Sequence, residues 1–103
     1  MEKCPFPIFH EDRLDLHHLL RILIFVAKDN QINLLGLPKS QKFGNWCDCE
    51  LIEWGNKFLR MRKIWKLLPA KLEIDGVTQQ FDALQTKRDL RAAIDKVKNI
   101  KYG

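Results

Sequence analysis

Residues 51–69, LIEWGNKFLRMRKIWKLLP, combine a helical apolar pattern with many basic residues. At about 100° per residue, six large apolar side chains fall on one arc of a helix: Leu51, Trp54, Phe58, Met61, Trp65 and Leu68. The period predicts one helix from about Asp48 to Leu68, because the residue before Pro69 avoids the helical region. Asp48 is the expected N-cap. We expect the aromatic arc to form a main wall of the core.

Outside this arc the segment is basic. Residues 56–71 contain six Lys or Arg side chains and no acid, and we name them the basic cluster: Lys57, Arg60, Arg62, Lys63, Lys66 and Lys71. Cations without neutralising acids favour contact with nucleic-acid phosphates. The predicted function is therefore a small, non-enzymatic module that binds DNA or RNA through this helix face. The simpler alternative is a solvated face whose long side chains cover apolar surface.

A second function class would use the same face. Ile52 and Leu59 lie seven residues apart outside the aromatic arc, so they predict a short apolar seam rimmed by the basic cluster. A protein–protein adaptor or regulatory factor would use such a seam to bind an acidic protein or a second copy of the chain. The two classes differ in salt dependence, because phosphate binding weakens steeply with salt.

The charge of the chain is distributed unevenly. Its net charge is +5 at pH 7. Residues 1–50 hold six Lys or Arg against seven Asp or Glu, whereas residues 51–103 hold twelve against six. The basic excess therefore belongs to the second half, and half of its twelve cations form the basic cluster. This asymmetry favours an anionic partner.

The first half of the chain predicts a long helix followed by a long loop. Residues from about Glu11 to Lys28 follow the helical period and are apolar nearly all round beyond Ile22, which predicts a buried central helix. The β-branched residues at 22–27 leave a strand as the alternative. Residues 33–46 predict a loop because glycine, proline and serine recur there. An extended lead-in is expected over residues 1–10.

The second half predicts a hairpin and a closing helix. After Pro69 the apolar period changes to two, and Asp75-Gly76 favours a two-residue type I′ turn. A last helix is expected from Thr86, packed by one apolar stripe. The 103 residues are predicted to form a single α+β domain (1–103) with two long helices, a β-hairpin at Asp75-Gly76 and a C-terminal helix. The expected core residues are Leu19, Leu23, Trp54, Phe58, Trp65, Leu90 and Ile94.

The cysteines and histidines do not predict a metal site. Cys47 and Cys49 lack the two-residue gap of typical zinc knuckles, and no second pair follows. Nitrogen ligands from His10, His17 or His18 would require the loop to fold onto the first helix. We therefore expect no bound metal and no cofactor.

One group of polar residues has the composition of a catalytic site. Glu11, Asp15 and His18 lie at i, i+4 and i+7, which places them on one helix face. Such a trio is more often the solvated side of a helix. The sequence also lacks a glycine-rich phosphate loop and a nucleophile elbow. We assign no catalytic residue and expect no enzymatic activity.

The location of the protein is inferred from what the sequence lacks. The longest apolar run, residues 22–27, is far shorter than the ~20 residues that span a bilayer, so no membrane partner is expected. Residues 1–12 lack the pattern of an export signal. The cysteine count is odd, and Cys47 and Cys49 are too close for a comfortable bridge. Free thiols in a reducing, cytoplasmic environment are the expectation for Cys4, Cys47 and Cys49.

Two stretches resemble known families in the order of their elements. Residues 70–98, with a hairpin and a closing helix, resemble part of small phage head–tail joining proteins but contain no diagnostic motif. The stretch LLRILIFVAKDNQINL, residues 19–34, is similar to the first helix of winged-helix domains. Gly36, Pro38 and Gly44 interrupt the segment that would form the second helix. Neither resemblance assigns a function or a site residue to this chain.

Overall fold

A computed structural model of the chain describes residues 13–37 and 46–100. Its elements in chain order are α1 (Leu14–Asp29), α2 (Asp48–Arg60), α3 (Arg62–Leu67), β1 (Lys71–Ile74), β2 (Val77–Gln80) and α4 (Ala83–Lys98). The predicted fold class is confirmed, since helices combine with one antiparallel hairpin and a C-terminal helix to form a small α+β fold. The lead-in predicted over residues 1–10 and most of the predicted loop, residues 38–45, lie outside the described residues.

Helix α1 is the buried central helix that the sequence predicted. Residues 22–27 are helical, so the alternative strand is wrong. The helix buries seven apolar side chains: Leu16, Leu20, Ile22, Leu23, Ile24, Val26 and Ala27. A surface this wide needs partners on more than one side, and α1 packs against α2, α3 and α4.

The predicted long second helix is broken at Met61. Met61 has φ −87° and ψ 82°, so α2 ends at Arg60 and α3 starts at Arg62. The indole Nε1 of Trp65 donates to the carbonyl oxygen of Phe58 at 2.8 Å. In an unbroken helix that carbonyl would accept from the amide of Arg62, four residues on. The prediction of one continuous helix from Asp48 to Leu68 is therefore wrong.

Helix α4 crosses α2 at a glycine. It starts at Ala83, whereas the sequence predicted Thr86. Thr86 is buried in the first turn, and its amide donates to the carbonyl oxygen of Asp82. A Cβ atom on Gly55 of α2 would lie 2.8 Å from Cδ1 of Ile94. Because Gly55 has no side chain, the two helices approach closely enough for Ile94 to fill the space between them.

The hairpin has the turn that its sequence predicts. Ile74 pairs with Val77 across a two-residue connection. Asp75 and Gly76 have φ values of 53° and 80°, and a type I′ turn requires positive φ at both positions. Arg21 of α1 donates to a carboxylate oxygen of Asp75 at 3.1 Å, so the turn is linked to the central helix.

The core contains the residues predicted for it and further ones, among them Ile64 and Trp46, which no predicted apolar pattern included. Of the predicted set, Leu23, Trp54, Phe58, Trp65, Leu90 and Ile94 are buried, and Leu19 is half-buried and packs against them. Ile64 is buried on α3 because the break at Met61 changes which side of the chain faces the core, and Trp46 has an exposed fraction of 2%. Its position at the end of a loop gives no periodic signal of burial.

The N-terminal end of α2 is held by a buried arginine. Arg13 is 1% exposed, its Nε lies 2.9 Å from Oδ1 of Asp48, and its guanidinium donates to the carbonyl oxygen of Trp46. The expectation that Asp48 is the N-cap is wrong, since Cys47 occupies that position. The Cys47 amide donates to Oε1 of Glu50 at 3.1 Å, which satisfies one of the free amides at the helix start.

We predict that His17, beside this ion pair, makes the fold sensitive to acid. Burial lowers the pKa of His17 from 6.5 to about 4, and the charge of Arg13 adds to this effect while Asp48 opposes it. Between about pH 6.5 and pH 4 the unfolded chain binds a proton at this ring and the folded chain does not, so stability falls as pH falls through this window. A pKa difference of this size corresponds to about 3 kcal/mol over the whole window, and partial exposure of the ring reduces it.

We therefore expect His17 to remove about 1 kcal/mol of unfolding free energy between pH 7 and pH 5. Urea unfolding at the two pH values measures the change. A His17→Gln variant is the control, since its side chain does not titrate and its stability should vary less with pH. Equal pH dependence in both proteins would contradict the assignment to His17.

Candidate nucleic-acid interface

The structure places the basic cluster on three successive elements. Lys57 and Arg60 lie in the last turn of α2. Helix α3 carries Arg62, Lys63 and Lys66. The sixth cation, Lys71, is the first residue of β1, and all six side chains are exposed. Because of the break at Met61, the cluster does not form one helix face. It follows the chain around a bend between two helices and into a strand.

Five of these six cations have no acidic partner within the part of the chain that the structure describes. Lys57 is the exception, because its Nζ lies 3.4 Å from Oε1 of Glu53 and 4.4 Å from the ring centroid of Trp54. The other five form no ion pair with any residue in the described ranges 13–37 and 46–100. The sequence from 54 to 72 contains no acid. An anion that binds here therefore displaces water rather than a competing carboxylate at most of these positions.

The apolar seam of the alternative function is largely used by the core. Ile52 and Leu59 are both half-buried and pack against the core cluster. Neither side chain is among the exposed large apolar residues of the described part of the chain. The geometry therefore offers more to an anionic partner than to an apolar one on this face.

A groove beside the basic cluster was not predicted from the sequence. Residues 33–35 and the second half of α2 line an open groove of about 390 Å³. Its lining residues are Asn33, Leu34, Leu35, Trp54, Lys57, Arg60 and Met61. Leu35 is 78% exposed. The groove therefore joins an apolar wall to two members of the basic cluster. The sequence signal for this groove was the pair Leu34 and Leu35 before Gly36. Leucines in a loop do not by themselves indicate which element they pack against.

The predicted acid–histidine trio does not form a catalytic arrangement among the described residues. Asp15 accepts from Nζ of Lys96 at 3.2 Å, and Nε2 of His18 lies 3.3 Å from Oε1 of Gln79. Glu11 lies outside the described residues. Asp15 and His18 line an open cavity of about 420 Å³ between α1 and α4, which also contains Asp89. No serine, threonine or cysteine lines it, so it offers no hydroxyl or thiol nucleophile. The absence of enzymatic activity stays a prediction.

The cysteines differ from the expectation at one position. Cys47 is a free thiol, and burial raises its pKa, which disfavours the thiolate that binds metals or attacks substrates. Cys49 is disulfide-bonded, so the expectation that all thiols are free is wrong. Cys47 is not its partner, in agreement with the short spacing between the two residues. Structural disulfides are typical of oxidising compartments, which weakens the argument for a cytoplasmic location.

Metal binding and membrane spanning find no support in the part of the chain that the structure describes. No three His, Cys, Asp or Glu side chains gather there as a metal ion would require. His10 and Cys4 lie outside it, so the absence of a metal stays a prediction. None of the described helices has the length and apolar content to cross a membrane.

Comparison of the chain with protein-family models, with curated proteins and with solved structures gives no match in any of the three. The function is therefore argued from the residues and their geometry.

Proposed function

We propose that this protein is a non-enzymatic module that binds DNA or RNA by contacting phosphates with the basic cluster. The observation that supports it is the exposure of six cations on adjacent elements, five of which form no ion pair with a described residue. Lysine and arginine side chains of this kind bind the phosphate backbone of either nucleic acid without reading its sequence. We assign the phosphate contacts to Lys57, Arg60, Arg62, Lys63, Lys66 and Lys71.

The bend at Met61 is compatible with this role. A nucleic-acid strand presents phosphates along a curved path, and cations on two helices and a strand can follow such a path. The adaptor alternative requires an apolar seam at Ile52 and Leu59, both of which are half-buried against the core. A solvated face without a partner also remains consistent with exposed cations, and an association experiment distinguishes it from the proposal.

The dependence of binding on salt tests the proposal. Each phosphate contact adds about −0.9 to the slope of log K against log salt for duplex DNA. Because Lys57 already pairs with Glu53, we count about five full contacts and expect a slope of about −4 to −5 for duplex DNA. Fluorescence anisotropy with labelled duplex and single-stranded DNA and RNA, at two salt concentrations, measures it. Absence of binding at about 50 mM salt would overturn the proposal.

A pair of charge-matched variants assigns the binding to the basic cluster. The test variant carries Arg60/Arg62/Lys63/Lys66→Glu, and the control carries Lys28/Arg88/Arg91/Lys98→Glu on α1 and α4. All eight substituted cations are exposed. Each Lys or Arg→Glu substitution changes the charge by −2, so four substitutions change the net charge from +5 to −3 in both proteins.

We expect the test variant to lose at least about 100-fold in affinity at about 50 mM salt. The control should lose less than about tenfold, because distant charges are screened. Circular dichroism establishes that both variants are folded. Equal losses in the two proteins would show that overall charge, rather than this cluster, causes the binding.

A further inference from the structure

The groove between segment 33–35 and α2 gives the basic cluster an apolar neighbour. Leu34, Leu35 and Met61 line it together with Lys57 and Arg60, and no acidic side chain is among its lining residues. Trp54 also lines the groove but is nearly buried, and the Nζ of Lys57 lies over its ring. An occupant of this groove therefore meets both aliphatic side chains and cations.

An unstacked nucleobase with its phosphate has the matching chemistry. Its flat apolar face packs against aliphatic walls, while the negative charge of the adjoining phosphate faces Arg60. In a duplex the bases are stacked on each other and are not free to enter such a groove. A single strand exposes its bases, and proteins that bind single strands combine a basic track with contacts to base faces.

The charge pattern favours this occupant over an acidic peptide. The cations do not stop at the groove but continue through Arg62, Lys63 and Lys66 of α3. The apolar side chains between them, Ile64 and Trp65, are buried. A nucleic-acid strand carries one charge per nucleotide and continues along such a track. A peptide with an apolar anchor needs charge only beside the groove.

We propose that the basic cluster selects single-stranded over duplex nucleic acid, because the groove at Leu34, Leu35 and Met61 receives one unstacked base. This inference rests on the proposed function and adds the class of nucleic acid. Phosphate contacts alone would give the opposite preference, since a duplex has the higher charge density and the steeper salt dependence. A preference for single strands therefore reports a contact to the base.

The test compares three labelled 15-nucleotide probes at one salt concentration: a thymidine single strand, a duplex of equal length, and an abasic single strand. We expect the wild type to bind the thymidine strand on the order of tenfold more tightly than either other probe. In a Leu35→Ser variant this preference should disappear, while affinity for the abasic strand stays unchanged. Because Leu35 is 78% exposed, the variant is expected to fold.

A Leu84→Ser variant is the matched control. Leu84 is an exposed leucine on α4, with an exposed fraction of 59%, and it does not line the groove. Its replacement should leave the preference intact. Equal binding of thymidine strand and duplex by the wild type, or a preference that survives Leu35→Ser, overturns this inference and leaves the proposed function standing. Failure to bind any probe overturns both. A competition experiment tests the peptide alternative. If a leucine-containing glutamate peptide displaces the labelled thymidine strand at a lower concentration than the unlabelled strand does, the groove is a peptide site and the inference is overturned.

Discussion

Replacing Trp65 with alanine is expected to lower the free energy of unfolding by about 3–5 kcal/mol, the usual cost of removing a buried aromatic side chain. The side chain is 7% exposed and belongs to the core cluster. Lys87 of α4 lies over its ring, 5.5 Å from the centroid. Alanine would leave a cavity at the junction of α3 with the rest of the core. Chemical denaturation followed by far-ultraviolet circular dichroism measures the loss.

Two further substitutions separate the causes of this loss. Trp65→Phe keeps most of the ring but removes the indole donor to the carbonyl oxygen of Phe58, and we expect a smaller cost of about 1–2 kcal/mol. Lys66→Ala changes the exposed neighbour and should stay within about 0.5 kcal/mol of the wild type. A loss below about 1 kcal/mol for Trp65→Ala would show that another face of α3 is buried.

Apolar periodicity was sufficient to predict most of the fold. Trp54 and Phe58 follow the helical period, and a residue that faces the core once in each turn is buried whatever its exact partner. The Asp75-Gly76 turn was predictable for a local reason, because few residue pairs adopt positive φ at two successive positions. Both features depend on residues close together in the chain.

The break at Met61 depends on a contact that periodicity does not describe. The indole of Trp65 competes with a backbone amide for the carbonyl oxygen of Phe58, and this choice is decided by how the ring fits the core. One local signal was present. Arg60 and Lys63 are like charges three residues apart that one continuous helix would bring together at the break, and such pairs destabilise a helix by a few tenths of a kcal/mol. That amount does not predict a break in a segment with so strong an apolar arc.

The candidate interface was partly predictable for the same reasons. Exposure of the basic cluster follows from charge, since Lys and Arg are rarely buried without a partner. The groove, in contrast, requires that Leu35 be placed against α2, and residues 33–37 have no period from which this placement could be read. The buried state of Arg13 was missed because its partner Asp48 is 35 residues away in the sequence, and a distance of this kind is set only by the folded chain.

Replacing Arg13 is expected to cause the second large loss of unfolding free energy. An Arg13→Met variant keeps an unbranched apolar stem but removes the guanidinium with its charge and its donors. Asp48 then loses the cation 2.9 Å away, and the carbonyl oxygen of Trp46 loses a donor. Removing one partner of a buried ion pair costs about 3–5 kcal/mol because the other charge is left behind. Since the Asp48 side chain is 19% exposed and is partly hydrated, we expect about 3 kcal/mol in urea unfolding.

Two measurements distinguish this ion pair from ordinary packing. Arg21→Met removes a comparable pair with Asp75 whose side chains are 55% and 77% exposed, and it should cost less than about 1 kcal/mol. The second measurement is the pKa of His17 by nuclear magnetic resonance. Burial is the main cause of its low value and the charge of Arg13 the next, so the pKa should rise in Arg13→Met and stay at about 4 in Arg21→Met. An unchanged pKa in a folded Arg13→Met protein would contradict the placement of Arg13 beside His17, and equal costs for the two variants would contradict its burial.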